Sequence, residues 1–490
     1  MTWREYHEST KHTVQSLRRS QHFLDWKNMP DPFRHYEGAP LLDLPADPAG
    51  PEIPALELLQ GTYGSTRAAD GASFLSELLF HSAAISASKL VPSTGDRYAL
   101  RVNPSSGNLH PTEFHFVTRG LKQWPDGLYH YRPSSHMAEQ RATGDFEIKP
   151  AGELAPLTFI LTSIAWREAW KYRDRAYRYC LHDMGHAWQA LALAARAAGC
   201  DSFAIGWFPD DDIAQLCRLS EDEWPMLVVE IRGRSIPLGD RNAGETIWHG
   251  GQANQLSDHQ VSYPSIDEMH AATKLSSAPG PADTSAEEGS GEIVLPAPVS
   301  SERAFAEVVR LRRSALDFRG GVESMSLAKL SAILAAATEP LAADFASSRF
   351  VHVYLYAHRV VDLEPGVYRY WPQHAQLEQV RSGDQRVAAA GLSLAQDLAG
   401  NACLAFSMTG DLERAARLHG DRGYRYVHFE AGAIGHRLYL AAEALGLGAT
   451  GIGAFYDDEV DRYLNLTSGQ RQVVYHFAIG YPVADPRIGA

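Results

Sequence analysis

The chain contains an internal repeat, and this repeat constrains the fold more than any other feature. Tyr177-Arg178-Tyr179 recurs as Tyr424-Arg425-Tyr426, which sets an offset of 247 residues. At that offset, without gaps, similar residues pair at further places: Asp183 with Glu430, Gly185 with Gly432, Gly199 with Gly446, Ile205-Gly206 with Ile452-Gly453, Asp210-Asp211 with Asp457-Asp458 and Gly233 with Gly480. Solenoid repeats have periods of about 20–50 residues, so a period of this length indicates a duplicated domain.

Each copy has the same predicted order of elements: a buried strand, a long amphipathic helix and a last strand. The strands are expected at 158–162 and 225–231 in the first copy, and at 404–408 and 473–479 in the second. In both copies a glycine stands where a C′ residue would end the helix. Interleaved helices and strands with a C-terminal strand favour an α+β fold.

Length and composition set the outer bounds. At about 150 residues per domain, a chain of 490 residues would hold three domains, although the repeat favours two. The net charge of −14 and the lack of a basic tract argue against a nucleic-acid or anionic-membrane partner. The four cysteines are scattered, which favours reduced thiols over a disulfide framework. The first residues lack the apolar segment of a signal peptide, and no apolar run reaches the roughly 18 residues that a membrane helix needs. These features predict a cytoplasmic protein that does not enter membranes.

Proline and small-residue content predicts the domain boundaries. Residues 30–54 carry seven prolines, so we expect an N-terminal arm, residues 1–60, that lies extended over a domain. Residues 276–300 are rich in Ser, Pro, Ala, Gly and Glu, which is typical of a linker. The two copies then occupy residues 61–275 and 301–490.

A polar loop lies in the segment Arg101-Val-Asn-Pro-Ser-Ser-Gly-Asn-Leu-His-Pro-Thr-Glu113. Pro104 makes its turn rigid, and Gly107 lets backbone N–H groups approach a ligand because no Cβ stands in the way. Short side chains beside them offer hydrogen-bond donors and acceptors: Ser105, Ser106 and Asn108. Such a loop suits a flat ligand with polar edges, although ordinary surface turns share this composition.

The second copy carries a cationic motif, Arg312-Arg313-Ser314, at the end of a predicted helix. This helix has Ser301 as its expected N-cap, and Ala304, Val308 and Leu311 share one face. A guanidinium group can donate two parallel hydrogen bonds to two oxygens of a phosphate, and it stays positively charged at neutral pH. The motif can therefore bind a phosphate. The alternative is a solvated helix end, where the helix dipole also favours cations.

The Pro-Ser-Ser-Gly loop and the Arg-Arg-Ser motif resemble signatures of the FMN-dependent nitroreductase superfamily, in the form of its SagB-like dehydrogenase branch. In the arm, Tyr6-His-Glu-Ser-Thr-Lys-His12 and Leu24-Asp-Trp26 are similar to the leader of tandem SagB-like proteins. Members of the superfamily are typically homodimers with FMN at the interface, where one subunit supplies the arginines and the other the loop. The resemblance therefore implies an α+β fold with two nitroreductase-like domains fused as a pseudodimer.

By this resemblance the chain has one complete flavin site and one lapsed site. The complete site combines residues of both copies: Arg101, Pro104, Ser105, Ser106 and Asn108 from the first, with Arg312, Arg313, Ser314, Gly451, Ile452 and Gly453 from the second. Leu316 stands where the family usually has a further basic residue, so the phosphate clamp is either thinner here or completed by Arg487. The lapsed site has only Arg67 in place of an Arg-Arg-Ser motif, and its loop is shortened to Ala346-Ser-Ser-Arg349.

The pair Lys171-Tyr172 resembles the Lys-Tyr pair of azoline dehydrogenases in this branch, where these residues are thought to act in proton transfer. The second copy has Leu418 and His419 at the equivalent positions. Desolvation beside apolar walls makes a lysine amine a usable base near neutrality, and tyrosine can donate or relay the proton. The alternative is a lysine that reaches solvent and a half-buried tyrosine.

These features predict an FMN-dependent oxidoreductase that transfers a hydride between FMN and an organic substrate, either an azoline ring in a peptide or a smaller molecule. Two other functions stay open: an NAD(P)H-dependent nitro- or quinone reductase, and a flavin-free scaffold in a peptide-modifying complex. Both a monomer and a further homodimer are compatible with the sequence.

Two motifs that could suggest metals are interpreted as structural. His182 and His186 have the spacing of a helical zinc pair, but the repeat has Phe429 and Ala433 there, so packing at the domain interface is expected. The run Asp210-Asp211-Asp212 lacks EF-hand spacing and is expected to be a solvated turn. No metal site is predicted.

Overall fold

The architecture is that of a computed structural model of the chain. It describes residues 1–19, 23–92, 95–148, 154–241, 244–276, 288–346, 349–466 and 471–489. The expected linker at 276–300 and the shortened loop at 346–349 fall partly outside these ranges, so the interpretation of residues 277–287, Ser347 and Ser348 stays a prediction.

The elements are as follows. The α-helices are α1 (Trp3–Ser9), α2 (Val14–Arg19), α3 (Ala55–Leu59), α4 (Gly71–Ala83), α5 (Ala165–Tyr172), α6 (Ala176–Ala197), α7 (Asp210–Leu216), α8 (Pro264–Thr273), α9 (Phe305–Leu311), α10 (Leu327–Ala337), α11 (Arg386–Leu392), α12 (Asp397–Asn401), α13 (Leu412–His419), α14 (Gly423–Ala444) and α15 (Asp457–Tyr463). The strands are β1 (Tyr36–Glu37), β2 (Leu41–Asp43), β3 (Ile85–Leu90), β4 (Arg97–Arg101), β5 (Thr112–Thr118), β6 (Gly127–Arg132), β7 (Met137–Thr143), β8 (Leu157–Ser163), β9 (Asp201–Ile205), β10 (Trp224–Arg232), β11 (Ile247–Trp248), β12 (Gln252–Ala253), β13 (Ile293–Val294), β14 (Met325–Ser326), β15 (Val351–Ala357), β16 (Val360–Val361), β17 (Gly366–Trp371), β18 (Gln376–Ser382), β19 (Leu404–Gly410), β20 (Gly448–Ile452), β21 (Gln472–Gly480) and β22 (Ile488–Gly489). Within the described ranges, no helix combines the length and the apolar character needed to cross a bilayer.

Each copy is built around an antiparallel sheet. The strand order is β11-β7-β6-β5-β8-β10-β9 in the first copy, with β2 also paired to β7, and β13-β18-β17-β15-β19-β21-β20 in the second. The registers are equivalent, since Thr112 pairs with Ser163 in the first sheet and Val351 pairs with Gly410 in the second. Four predicted strands are confirmed: 158–162 in β8, 225–231 in β10, 404–408 in β19 and 473–479 in β21. The predicted α+β fold with a duplicated domain is therefore confirmed.

The long helices α6 and α14 pack against each other at the centre of the molecule. They meet at a pair of repeat-related glycines, because a Cβ on Gly185 would stand 2.3 Å from the carbonyl oxygen of Phe429 and 2.9 Å from Cα of Gly432. Any side chain there would push the helices apart. As predicted, each helix is followed by a glycine at the C′ position, Gly199 (φ +75°) after α6 and Gly446 (φ +71°) after α14. Both glycines adopt the left-handed conformation that glycine tolerates.

Buried ion pairs link the copies in a reciprocal way. Two carboxylates each pair with two arginines of the other copy: Asp457 with Arg175 and Arg178, and Asp210 with Arg422 and Arg425. The N···O distances are 2.6–3.0 Å. These six residues are related by the 247-residue offset, which is the pattern expected of a pseudodimer. Asp210 is thus buried at the start of α7, and the prediction of a solvated turn is wrong for it because the arginines of the other copy compensate its charge.

The helix before the Arg-Arg-Ser motif begins later than predicted. Ser301 is not its N-cap, since its Oγ donates to the carbonyl oxygen of Ala444 at 2.7 Å. The helix α9 starts at Phe305 after Ala304, whose side chain has no cap hydrogen bond. Of the residues predicted to share one face of this helix, Val308 is buried, whereas Leu311 is half exposed.

Both chain ends cross between the copies. In α1 the backbone N–H of Trp3 donates to Oδ1 of Asp421 at 2.7 Å, and after it the N–H of His12 donates to Oδ2 of Asp457 at 2.8 Å. Residues 30–54 run over the first copy, where β1 pairs with β12 and β2 with β7. At the other end β22 joins the first copy by pairing with β3. The two copies are therefore interlocked by more than the α6–α14 contact.

Candidate active site

A cavity of about 920 Å³ opens between the two copies. Its size lies within the range of about 300–1,000 Å³ that is usual for small-molecule and cofactor sites. Most of the predicted site residues line it: Arg101, Pro104, Ser105, Ser106, Asn108, Lys171, Tyr172, Arg312, Arg313, Ser314, Gly451 and Gly453. The fold thus brings together the loop after β4, the end of α5, the segment after α9 and strand β20.

The polar loop is held by a buried carboxylate of α6. Asp183 accepts hydrogen bonds from Ser105 Oγ at 2.5 Å, from Ser106 N at 3.0 Å and from Ser106 Oγ at 2.9 Å. The hydroxyl hydrogens of both serines are therefore used within the protein. Asp183 was not predicted as a site residue. The signal that could have identified it is the repeat, which has a carboxylate at the equivalent position, Glu430.

The loop lies directly against the Lys171-Tyr172 pair. Gly107 and Asn108 have φ values of +59° and +60°. A Cβ on Gly107 would stand 2.9 Å from the hydroxyl oxygen of Tyr172 and 3.0 Å from Nζ of Lys171, so the ends of both side chains would have to move, and the positive φ would strain any residue other than glycine. Asn108 donates from Nδ2 to the carbonyl oxygen of Ala99 at 3.0 Å and so fixes the end of the loop.

Two arginines of the second copy reach into the first. Arg312 donates from Nε to the carbonyl oxygen of Val102 at 3.1 Å and from a terminal nitrogen to that of Arg101 at 2.9 Å. Arg313 donates to the carbonyl oxygen of Ser86 at 3.1 Å. Among the described residues no carboxylate forms an ion pair with either one, although the charge of Glu443 acts on both. Burial lowers the pKa of both guanidinium groups, that of Arg312 to about 10. An anion bound beside them would stabilise their charged forms and so offset the free-energy cost of burying them.

Tyrosines and glycines form the facing wall. The hydroxyl of Tyr439 bonds Ser314 Oγ at 2.8 Å and accepts from Gly451 N at 2.9 Å. Tyr179 donates to the carbonyl oxygen of Gly453 at 3.0 Å, and a Cβ on Gly453 would stand 2.1 Å from a carbon of its ring. Neither tyrosine was predicted as a site residue, although the repeated Tyr-Arg-Tyr motif includes Tyr179.

Two predicted site residues are not among the described residues that line the cavity. Ile452 packs with the apolar core of the second copy, so its side chain points away from the cavity. Arg487 forms two hydrogen bonds with the carboxylate of Asp485, at 2.7 and 2.8 Å, next to the lining residue Ile488. Its guanidinium group is therefore engaged with Asp485 in this structure, and its part in a phosphate clamp stays a prediction.

The equivalent position on the other side of the pseudodimer is filled by the chain itself. Phe345 stacks on Tyr426, the repeat equivalent of Tyr179, with ring centroids 4.3 Å apart and an interplanar angle of 8°. Asp344 accepts from the N–H groups of Gly206 and Trp207 at 2.8 and 3.1 Å. A ring and a carboxylate of the second copy thus occupy the space that is open at Gly453.

Three titratable groups behind the loop have shifted pKa values. Burial raises the pKa of Asp183 to about 6, while its hydrogen bonds to the two loop serines act in the opposite direction. Burial and the neighbouring Asp183 raise the pKa of Glu168 on α5 well above its usual range. Burial, assisted by the charge of Glu168, also raises the pKa of Tyr172. Tyr172 is therefore a neutral phenol near pH 7 and can donate a proton.

Family models and known structures agree with this architecture. Residues 80–234 and 310–481, one stretch in each copy, match the model of the nitroreductase family, and together they make up more than half of the chain. The chain belongs to the nitroreductase family. Members of this family are typically flavin-dependent oxidoreductases. The two matched stretches confirm the prediction of two nitroreductase-like domains in tandem.

Two relatives show how far the similarity extends. A nitroreductase homologue of Methanocaldococcus jannaschii is 34% identical over 116 residues, which are 24% of this chain and 59% of that protein. The crystal structure of a nitroreductase homologue from Anabaena variabilis is 25% identical and superposes with a TM-score of 0.77. That match covers 98% of this chain and 99% of the other, so the two chains share one architecture over their whole length.

Proposed function

We propose that this chain is an FMN-dependent oxidoreductase, a tandem SagB-like dehydrogenase with one flavin site between its two copies. One observation carries the proposal. The Pro104–Asn108 loop of the first copy and the Arg312-Arg313 pair of the second meet in one cavity, while Phe345 fills the equivalent position. This is the asymmetry expected of a homodimeric ancestor that fused and kept one site.

The residues of the cavity fit FMN in two respects. Arg312 and Arg313 bring two positive charges whose hydrogen bonds go to backbone carbonyl groups, while the carboxylate of Glu443 acts on both from beyond ion-pair distance, and this arrangement suits a phosphate. At Gly107, Gly451 and Gly453 a Cβ would collide with a tyrosine or with Lys171, so backbone borders the cavity there. A flat ring can approach such a wall closely.

The chain's own residues account for the proton. When bound, FMN supplies hydride transfer, while the protein supplies orientation and the accompanying proton. Lys171 or Tyr172 would handle this proton, because Nζ and the phenol hydroxyl lie against the same point of the loop. Tyr172 is a neutral phenol near pH 7, so it can donate its proton and, as the phenolate, take the proton back in the reverse direction. Glu168 and Asp183 stand behind the loop, and the charge of either one, when it is ionised, raises the pKa of Tyr172.

The substrate we propose is an organic molecule, either an azoline ring in a peptide or a smaller acceptor. Steady-state turnover with NAD(P)H would favour a nitro- or quinone reductase instead, and an inability to bind flavin would favour a scaffold. The proposal includes an arm at 1–60, domains at 61–275 and 301–490, a linker at 276–300 and a cytoplasmic location.

Flavin content tests the proposal directly. Because loop and arginines are combined at one place only in the described part of the chain, the purified protein should be yellow and bind about one FMN per chain. Absorbance of the released flavin against protein concentration measures this ratio. A ratio near two contradicts the one-site arrangement, and a colourless protein that takes up no added FMN contradicts the function.

A further inference from the structure

The N-terminal arm supplies an aromatic wall of the cavity. A single 3₁₀ turn, Trp26–Asn28, places Trp26 in the lining together with Met29 and with Trp170 of α5. The rings of Trp26 and Trp170 are in edge contact, with centroids 5.3 Å apart and an interplanar angle of 72°. Because α5 also carries the Lys171-Tyr172 pair, this wall stands beside the groups that we expect to handle the proton.

The turn is held on both flanks by hydrogen bonds. Trp170 Nε1 donates to the carbonyl oxygen of Asp25 at 2.9 Å. Asn28 donates from Nδ2 to the carbonyl oxygen of His259 at 2.9 Å and accepts from His259 N at 3.2 Å. Beyond the turn, Arg167 Nε donates to the carbonyl oxygen of Asp31 at 2.9 Å. The indole is therefore positioned before any ligand arrives, which lowers the ordering cost of binding.

Despite these anchors, Trp26 is 63% exposed. An indole ring that is held in place but exposed to water is stabilised when another apolar surface covers it. Exposed apolar surfaces of this kind often mark binding sites. The guanidinium groups that we assign to the phosphate belong to Arg312 and Arg313 of the second copy, whereas the arm contributes the uncharged side chains of Trp26 and Met29. Aromatic faces pair with other rings by offset stacking or edge contact, so this wall suits a planar, uncharged ring.

We propose that Trp26 determines substrate specificity by contacting a planar, uncharged ring of the substrate and holding it beside Lys171 and Tyr172. The inference rests on the proposed function, because it presumes that the substrate reacts in this cavity. It assigns the arm a role in recognition, in addition to its contacts with both copies.

A binding titration without turnover tests this. The probe is 1,4-naphthoquinone, added to the full chain loaded with oxidised FMN, and its Kd is taken from the change in flavin absorbance. Trp26→Ala should raise this Kd about tenfold, and Trp26→Phe should raise it less than about threefold, because a ring remains. Phe23→Ala is the matched control: Phe23 lies in the same arm, is 89% exposed and is not among the lining residues.

The outcomes separate the inference from the function. Unchanged FMN content with a Kd that rises only in Trp26→Ala supports the inference. An FMN-loaded Trp26→Ala variant with the Kd of the wild type overturns it alone, and so does an equal loss in Phe23→Ala. A wild-type chain that takes up no FMN overturns the proposed function and this inference together.

Discussion

At the scale of single residues, the polar loop shows how a motif can be recognised while its contacts are not. Ser105 and Ser106 belong to the motif, but both donate their hydroxyl hydrogens to Asp183. Their role in the structure is to fasten the loop to α6. Under the proposed function, recognition of a phosphate then rests on the arginines, which donate to carbonyl groups and form no ion pair with a carboxylate among the described residues.

This division of roles predicts different effects for two substitutions. Arg313→Ala should weaken FMN binding about tenfold or more, since a charge-assisted phosphate contact contributes roughly 1.5–3 kcal/mol. Lys171→Ala should keep the flavin and lose turnover. Flavin fluorescence measures the first effect, and turnover with an organic substrate measures the second.

A control for Arg313 is available three residues earlier, on the helix that precedes it. Arg310 of α9 pairs with Asp47 at 2.8 Å and does not line the cavity, so Arg310→Ala should leave FMN affinity unchanged. If Lys171→Ala sheds FMN while Arg313→Ala retains it fully, the two roles have been assigned wrongly.

At the scale of elements, the contact of α6 with α14 is the feature that joins the copies. The glycine pair allows the helices to touch. The carboxylates of the reciprocal ion pairs, Asp210 and Asp457, are the first residues of α7 and α15. His182 belongs to the same interface, where it stacks on Tyr475 with ring centroids 4.3 Å apart. Packing at the interface is what its sequence position predicted.

The ion pairs make the interface sensitive to loss of one carboxylate. Asp457→Asn should lower the free energy of unfolding by about 3–5 kcal/mol, because Arg175 and Arg178 would be left buried without a counter-charge. Asp211→Asn is the control: this residue pairs with Lys274 at the surface, is 80% exposed and should change stability by less than about 0.5 kcal/mol. Thermal unfolding compares the two variants.

The sign of the pH dependence follows from the same pairs. Burial raises the pKa of Asp457, but Arg175 and Arg178 outweigh it, and the pKa ends below its ordinary value of 3.8. The stability that this carboxylate adds is therefore complete above pH 3.8 and is lost as the pH falls through the lowered value. The Asn variant should lack this acid-dependent part, and an equal acid sensitivity in both proteins would contradict the assignment.

At the scale of the whole molecule, two interlocked copies surround one cavity. The loop and the Lys171-Tyr172 pair come from the first copy, the arginines and β20 from the second, and Trp26 from the arm. The strand β22 of the second copy completes a sheet with β3 and β4 of the first. Neither copy alone has a full set of groups around the cavity.

Separate halves should therefore fail to hold FMN. Residues 1–275 lack the arginines, and residues 301–490 lack the loop, so each should elute colourless after incubation with FMN. Co-expression of both halves should restore binding at lower affinity than the intact chain, because the tether is lost. Full-strength binding by either half would place the flavin within one copy.

Local sequence was enough to predict much of the fold. The strands β8, β10, β19 and β21 and the glycines after α6 and α14 follow from periodicity, which depends on neighbours along the chain. The duplication follows from matching residues 247 positions apart, which needs the order of residues and no contact between them. The motifs that line the cavity were likewise visible, because loop chemistry and paired arginines are local patterns.

Only the tertiary structure decided which groups meet. Asp183, Tyr179 and Tyr439 contact the motifs from other elements, and no local pattern states such a contact. The same holds for Arg487, whose charge is taken up by Asp485, and for Phe345, which fills the second position. These outcomes depend on distances between segments that lie far apart in sequence, and packing sets those distances.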